Sequence, residues 1–405
     1  MADTLFFVNS VSKGLSAAAF LHLVDTSQCS YDDKVCAHWP NFGTNGKQSV
    51  TIEDALSHRA GLQSVGGNPA VCFLRCLYEA HTSRDWRRQW DMFVKETESA
   101  TPATHPGEFA SYHAVSYSWL LGGIVDGVRS NHPPPDTPTE GHIRELIHSA
   151  LSSPLNIAHS DMCMGVTPPH LEPRLALTEP PNAPTSSYKR CAAALREAAG
   201  ESPLLRFVLT NVLGPVEAQV VAAFIGLEAW RRHSCLPGNN GVVTGRALGK
   251  VFGALANLGE AEGDRFVGEE TVRDMHEVST DEKNAHQHAH TLTRLFLSRR
   301  QRVKCRKGNK IKFDHPDGRY EWLTCRKSCG WFPWASEDLQ GLQGKLGTTV
   351  GNEGMGGSFA YADCENRLGI VFCKSVYEPL AVIGGSVSVD SCDVAQCIRD
   401  HLGIK

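Results

Sequence analysis

The residues Ser10-Val11-Ser12-Lys13 form an S-x-x-K tetrad, and an apolar, predicted helical stretch over residues 15–24 follows at once. A serine at the start of a helix lies near unsatisfied backbone N–H groups and the positive end of the helix dipole. A lysine three residues later lies one turn on, on the same face. If burial lowers the pKa of that lysine, its amine can accept the serine proton. The tetrad predicts a nucleophile, Ser10, and a base, Lys13, with a helix-cap serine and a solvated lysine as the alternative.

Three further motifs follow the tetrad in order. They read LSHRAGL at residues 56–62, YHAVSYSWLLG at residues 112–122 and GNEGMGGS at residues 351–358. With the tetrad, they resemble the serine beta-lactamase-related family, which includes class C beta-lactamases, penicillin-binding proteins, family VIII esterases and their eukaryotic relatives. The resemblance covers residues 3–280 and 345–378, and it implies acyl-enzyme chemistry.

The resemblance implies catalytic roles for Ser10, Lys13 and Tyr112. Ser10 would accept the acyl group, and Lys13 would accept the serine proton or hold its acceptor. Tyr112 matches the tyrosine of the second motif, and its phenol would act as a general base or relay a proton to the leaving group. Tyr117 is the rival tyrosine, with helix packing as its alternative. We interpret His58, in the LSHRAGL motif, as a structural residue that shapes the cleft.

The third motif predicts the substrate-binding strand. Asn352 stands at the first position of a motif for which the family often has H-x-G, K-T-G or W-G-G, and an asparagine can form hydrogen bonds but carries no positive charge. Gly354, Gly356 and Gly357 suit a backbone that approaches a ligand closely, although a plain glycine-rich turn would look the same. Backbone N–H groups of Ser10 and of this strand would form the oxyanion hole.

The helix and strand patterns predict an α+β fold: an antiparallel sheet flanked by helices, plus a helical lobe. Because the serine is residue 10, we expect the family's N-terminal strands to be missing. Strands are predicted at 358–362 and 368–374. Helices are predicted at 85–98, 112–128, 138–151, 216–232, 243–258 and 391–402.

The composition is that of an ordinary globular chain. It has 405 residues, of which 41% are hydrophobic, and a net charge of −4. We therefore expect no nucleic-acid partner, no membrane span, no cofactor and no metal. The sequence leaves a homo-oligomer open. The start of the chain resembles no signal peptide, so we expect a cytoplasmic or mitochondrial protein with reduced cysteines.

Residues 281–344 interrupt the predicted beta-lactamase-related domain, which comprises residues 1–280 and 345–405. Between Arg294 and Lys327 there are 12 lysines or arginines and 3 acids, a local net charge of +9. We interpret this stretch as a basic insertion that is a loop or disordered. The alternative is a basic surface that docks an acidic partner. Its cysteines and histidines lack the paired spacing of a zinc site.

The sequence as a whole predicts a serine hydrolase that acts on a small ester or amide through an acyl-enzyme. The alternatives are a catalytically degenerate scaffold and a binding protein whose insertion docks a partner.

Overall fold

The computed structural model describes most of the chain around the four motifs. Described are residues 3–63, 65, 79, 85–107, 110–111, 113–131, 142–165, 168–176, 234–276, 349–354, 357–375 and 389–403, with short strands between 287 and 323.

Nine α-helices lie within the described ranges. They are α1 (Val11–Asp25), α2 (Val35–His38), α3 (Ile52–Leu56), α4 (Trp86–Ser99), α5 (Tyr117–Asn131), α6 (His142–Ile147), α7 (Gly245–Ala256), α8 (Glu269–His276) and α9 (Val389–Leu402). A π-helix continues α6 over His148–Ser152, and 3-10 turns occupy Pro40–Phe42, His159–Asp161 and Pro169–Arg174. No helix in these ranges is long and apolar enough to span a membrane.

The strands form five small sheets. They are β1 (Leu5–Phe7), β2 (Ala110–Ser111), β3 (Met162–Met164), β4 (Gly241–Thr244), β5 (Glu260–Ala261), β6 (Asp264–Arg265), β7 (Gln287–His288), β8 (Lys304–Arg306), β9 (Lys310–Lys312), β10 (Glu321–Leu323), β11 (Thr349–Glu353), β12 (Phe359–Asp363) and β13 (Leu368–Phe372). The sheet orders are β1-β4-β3, β11-β12-β13, β10-β9-β8, β2-β7 and β5-β6. The β2-β7 pair is parallel, and every other pairing is antiparallel.

Helix α1 is the centre of the core. It is buried on nearly every side, as expected of a helix that is apolar all round. It contacts α6, α7 and β11, while α7 packs against β12 and β13. At that contact a Cβ on Gly369 would lie 2.6 Å from the Gly253 nitrogen, so only glycine allows the helix and sheet to approach this closely. Helix α1 therefore packs against helices α6 and α7 and against strand β11.

The α+β prediction is confirmed, and several predicted elements match closely. Helix α4 begins after Asp85, whose carboxylate accepts from the backbone N–H groups of Arg87 and Arg88. The predicted hairpin at 358–374 is the β12–β13 pair. The predicted helix 216–232 lies outside the described residues.

Three predicted helix starts are wrong. The helix predicted from Tyr112 begins at Tyr117, because residues 114–116 form a turn. The helix predicted from Val243 begins at Gly245, because Val243 pairs with Phe6 in the β1–β4 ladder and Thr244 caps α7. Helix α9 begins at Val389, two residues before the predicted start at 391.

The helix predicted at 138–151 is described from His142 and ends as a π-helix. Within 281–344 the structure describes only β7 to β10, so the loop-or-disorder prediction and the domain boundaries stay predictions.

Candidate active site

Ser10 stands at a sharp strand-to-helix turn. Strand β1 ends at Phe7, Asn9 adopts a left-handed backbone conformation with φ of 47°, and α1 starts directly after the serine. A non-glycine residue with positive φ is uncommon and is held by its surroundings. Ser10 is half-buried at the N-cap position, and its hydroxyl does not cap the helix. The turn therefore presents the hydroxyl at the end of α1.

Lys13 lies one helical turn on and is fully buried. Its Nζ is 3.2 Å from the Ser10 Oγ, and it donates to the Ala114 and Gly238 carbonyl oxygens, each at 2.9 Å. Burial lowers the pKa of this amine from 10.5 to about 7, because a desolvated ammonium loses its hydration. Near neutral pH a large fraction of Lys13 is therefore an uncharged amine.

The two carbonyls decide which way that amine can act. A neutral amine has two N–H bonds and one lone pair, and a carbonyl oxygen can only accept. If a neutral Lys13 directs its two N–H bonds at Ala114 and Gly238, its lone pair is available to accept from the Ser10 hydroxyl, 3.2 Å away. This arrangement can remove the serine proton. The Tyr117 ring lies beside it, with its centroid 5.7 Å from the Lys13 Nζ.

The LSHRAGL motif positions the turn that supplies the Ala114 carbonyl. The His113 backbone N–H donates to His58 Nδ1 at 3.3 Å, and the Leu62 N–H donates to His113 Nε2 at 3.1 Å. The Ser116 hydroxyl donates to the Leu62 carbonyl at 2.7 Å. His58 and His113 are both buried. These contacts fit the structural interpretation of His58.

The glycine-rich motif contacts the turn that precedes Ser10. Strand β11 packs against α1, and a Cβ on Gly354 would lie 2.3 Å from the Val8 carbonyl oxygen. Gly357 has φ of +97°, which favours glycine. Asn352 is fully buried on β11. The end of this strand thus touches the backbone just before Ser10.

The structure therefore brings together Ser10, Lys13 and the start of the glycine-rich motif. Tyr112 and Gly356 lie outside the described residues, so their roles stay predictions, as do the roles of the other site residues. The sequence did not identify the Ala114 and Gly238 carbonyls as partners of Lys13. Every residue has a backbone carbonyl, so the residue type does not show which one accepts a hydrogen bond. Gly238 lies in the segment Pro237-Gly238-Asn239 before β4, a composition that is typical of any loop.

Comparison with known proteins places this site in a family. The chain is 28% identical over 279 residues to the esterase/beta-lactamase LipL of Mycobacterium tuberculosis, a match that covers 67% of the chain. The match covers 55% of LipL, so the aligned part is about half the length of that relative.

Among solved structures, a family VIII carboxylesterase is 23% identical and has a TM-score of 0.63, with coverage of 98% of this chain and 84% of the other. A penicillin-binding protein homologue from Caulobacter crescentus is 22% identical with a TM-score of 0.57, and the coverages are 96% and 84%. Both share the fold. The Beta-lactamase family profile matches residues 1–379. With its S-x-x-K pair at the head of the central helix, the chain belongs to the Beta-lactamase family.

Proposed function

We propose that the protein is a serine hydrolase that cleaves small esters or amides through an acyl-enzyme. The family and its esterase relatives support serine-hydrolase function in general. The observation that carries the finer proposal is the 3.2 Å contact between the Lys13 amine and the Ser10 hydroxyl, with the lysine pKa near 7. A nucleophile with an uncharged base in hydrogen-bond reach is the arrangement that acyl transfer needs.

In the proposed reaction Lys13 takes the Ser10 proton as the Ser10 Oγ bonds to the substrate carbonyl carbon. Backbone N–H groups of Ser10 and of the glycine-rich motif stabilise the oxyanion that forms. As the carbonyl re-forms, the bond to the leaving alcohol or amine breaks, and that group takes the proton from Lys13, directly or through Tyr112. Water then attacks the acyl carbon and gives its proton to Lys13, directly or through Tyr112. As the carbonyl re-forms, the bond to the Ser10 Oγ breaks, the Oγ takes the proton back from Lys13, and the acid leaves.

Asn352 favours uncharged substrates. A substrate that carries a carboxylate gains most from a cationic partner, and an asparagine offers only neutral hydrogen bonds. The fully buried Asn352 lies on β11, at the position where the family often has the histidine of H-x-G, the lysine of K-T-G or the tryptophan of W-G-G. We therefore rank neutral short-chain esters first among the candidate substrates.

The test is hydrolysis of a p-nitrophenyl short-chain ester together with labelling by a fluorophosphonate probe. We expect Ser10→Ala to abolish labelling and to lower turnover by about 10⁴ to 10⁶, as for loss of other serine nucleophiles. Ser130→Ala is the control, since its exposed hydroxyl donates within α5 to the Asp126 carbonyl. Equal labelling of wild type and Ser10→Ala would remove Ser10 from the mechanism. A wild-type protein that neither reacts with the probe nor hydrolyses the ester would support the alternative of a catalytically degenerate scaffold.

A further inference from the structure

The Ala114 carbonyl oxygen accepts two hydrogen bonds. One comes from the Lys13 Nζ and the other from the Asn239 Nδ2, each at 2.9 Å. A carbonyl oxygen has two lone pairs, so both bonds can form together. Because both nitrogens bond the same oxygen, they are at most about 6 Å apart. Asn239 thus lies next to the proposed base, although it belongs to the loop before β4.

The amide orientation of Asn239 follows from its neighbours. The Gly238 backbone N–H donates to the Ser118 Oγ at 3.0 Å, and the Ser118 hydroxyl donates to the Asn239 Oδ1 at 3.0 Å. Ala114 presents only an acceptor, so the Asn239 NH₂ group must be the one that faces it. Ser118, Gly238 and Asn239 are all buried. The network therefore has one consistent arrangement of donors and acceptors.

This network joins the two carbonyls that hold Lys13. Ala114 belongs to the turn before α5, and Gly238 belongs to the loop before β4. Asn239 bridges from the loop to Ala114, and Ser118 bridges from α5 back to Gly238. Asn239 thus bonds the Ala114 carbonyl itself, and Ser118 bonds the N–H of the residue that carries the other carbonyl.

We propose that Asn239 is a positioning residue that, with Ser118, fixes the Ala114 and Gly238 carbonyls as one unit and so aims the Lys13 lone pair at Ser10. This inference rests on the proposed function of Ser10 and Lys13. If the two carbonyls drift apart, the amine can turn its N–H bonds toward Ser10, and its lone pair no longer meets the serine proton. The loss would then appear in kcat more than in KM, since Asn239 serves the base and not the substrate.

The experiment compares Asn239→Asp and Asn239→Ala with Asn240→Asp, a matched control one residue along. The Asn240 side chain bonds Ser234 and the Leu236 N–H instead of Ala114. In Asn239→Asp a carboxylate replaces the amide beside Lys13, and an opposite charge within about 4–6 Å raises a lysine pKa by about 1–3 units. Two readouts are taken: the acid limb of kcat/KM, and direct NMR titration of Lys13 in protein labelled with ¹³C at lysine Cε.

We expect the Lys13 titration to move upward in Asn239→Asp and to stay within about 0.5 unit of wild type in Asn240→Asp, whatever that control does to the melting temperature. Asn239→Ala should lower kcat at least tenfold with KM changed less than threefold. An unmoved Lys13 titration in Asn239→Asp would overturn the proposal. So would equal shifts in the two aspartate variants.

Ser118→Ala tests the same network if the Asn239 variants fold poorly. It should lower kcat in the same direction, and the effects of Ser118→Ala and Asn239→Ala should be less than additive, because they remove parts of one network. Full additivity would contradict the proposal. The NMR titration does not depend on turnover. A wild type without activity whose Lys13 still responds to Asn239→Asp would therefore refute the proposed function and leave the positioning role standing.

Discussion

At the scale of single residues, Lys13 combines two properties that conflict in water. It is long enough to reach the Ser10 hydroxyl, and it is buried so completely that its charged form is disfavoured near neutral pH. A surface lysine would stay protonated up to about pH 10 and could not accept a proton. Burial therefore lowers the pKa of Lys13 into the range in which an amine can accept a proton near neutral pH.

This burial predicts the pH dependence of turnover. The base must be uncharged, so kcat/KM for a neutral ester should rise with pH and level off above a limb near pH 7, the value to which the pKa of Lys13 falls. A neutral ester does not titrate, so the limb belongs to the protein. Lys13→Arg stays cationic across pH 5 to 9.5, and we expect it to lose about 10³-fold or more of the rate and to show no limb. A wild-type limb near pH 10 would show that Lys13 is not the base.

At the scale of the elements, the end of β11 sets where the nucleophile turn can lie. We expect Gly354→Ala to lower kcat more than tenfold and to cost about 1–3 kcal/mol of stability, because its Cβ would press on the Val8 carbonyl and displace the turn that holds Ser10. Gly245→Ala is the control, since a Cβ there meets nothing within 4 Å. Activity and urea unfolding measure both effects. Wild-type activity in Gly354→Ala would show that β11 does not position the turn.

The elements also show which predictions a sequence supports. Helix α4 could be predicted because Trp86, Trp90 and Phe93 repeat at helical spacing behind an Asp85 cap. The start of α5 could not, since the stretch from Tyr112 is apolar and helix-compatible. Residues distant in sequence, among them His58, Leu62 and Lys13, hold residues 113–116 as a turn. The helix start predicted at Val243 was wrong for the same reason. Its strand pairing with Phe6 is a long-range contact with no local signal.

The same reasoning applies to the site. The S-x-x-K spacing predicted that Ser10 and Lys13 lie on one face of a helix, because both residues belong to the same turn. The acceptors of the lysine are 101 and 225 residues away in sequence, and they are backbone atoms. The residue types alone therefore do not show which distant residues bond Lys13, or that the acceptors are backbone atoms.

At the scale of the whole molecule, the sequence predicts one basic insertion, residues 281–344. We predict that deleting residues 294–327 changes the melting temperature little, because this stretch lacks the periodic apolar residues of a core element. The deletion retains β7, which pairs with β2 directly before Tyr112. Differential scanning calorimetry and the ester assay provide the comparison. A fall of about ten degrees or more would mean that the insertion is part of the domain.

Salt-sensitive binding of a polyanion, lost in the same deletion, would instead favour the alternative of an acidic docking partner. Because the deleted stretch carries a net charge of +9, its removal also leaves the remaining chain strongly acidic. Net charge is therefore matched with a second, full-length variant in which the 12 lysines and arginines of this stretch become glutamine and its 3 acids become the corresponding amides, so that both variants carry −13.

The order of Ser10 and its contact partners along the sequence has a consequence during synthesis of the polypeptide. Ser10 precedes most of its contact partners in the sequence: β1 pairs with residues 242–244, Lys13 bonds Gly238, and the turn touches Gly354. Contacts this distant in sequence form slowly and only after their partners have been translated. A growing polypeptide therefore carries Ser10 without its assembled surroundings until residue 354 has been translated, and a product aborted before that point should be chemically silent.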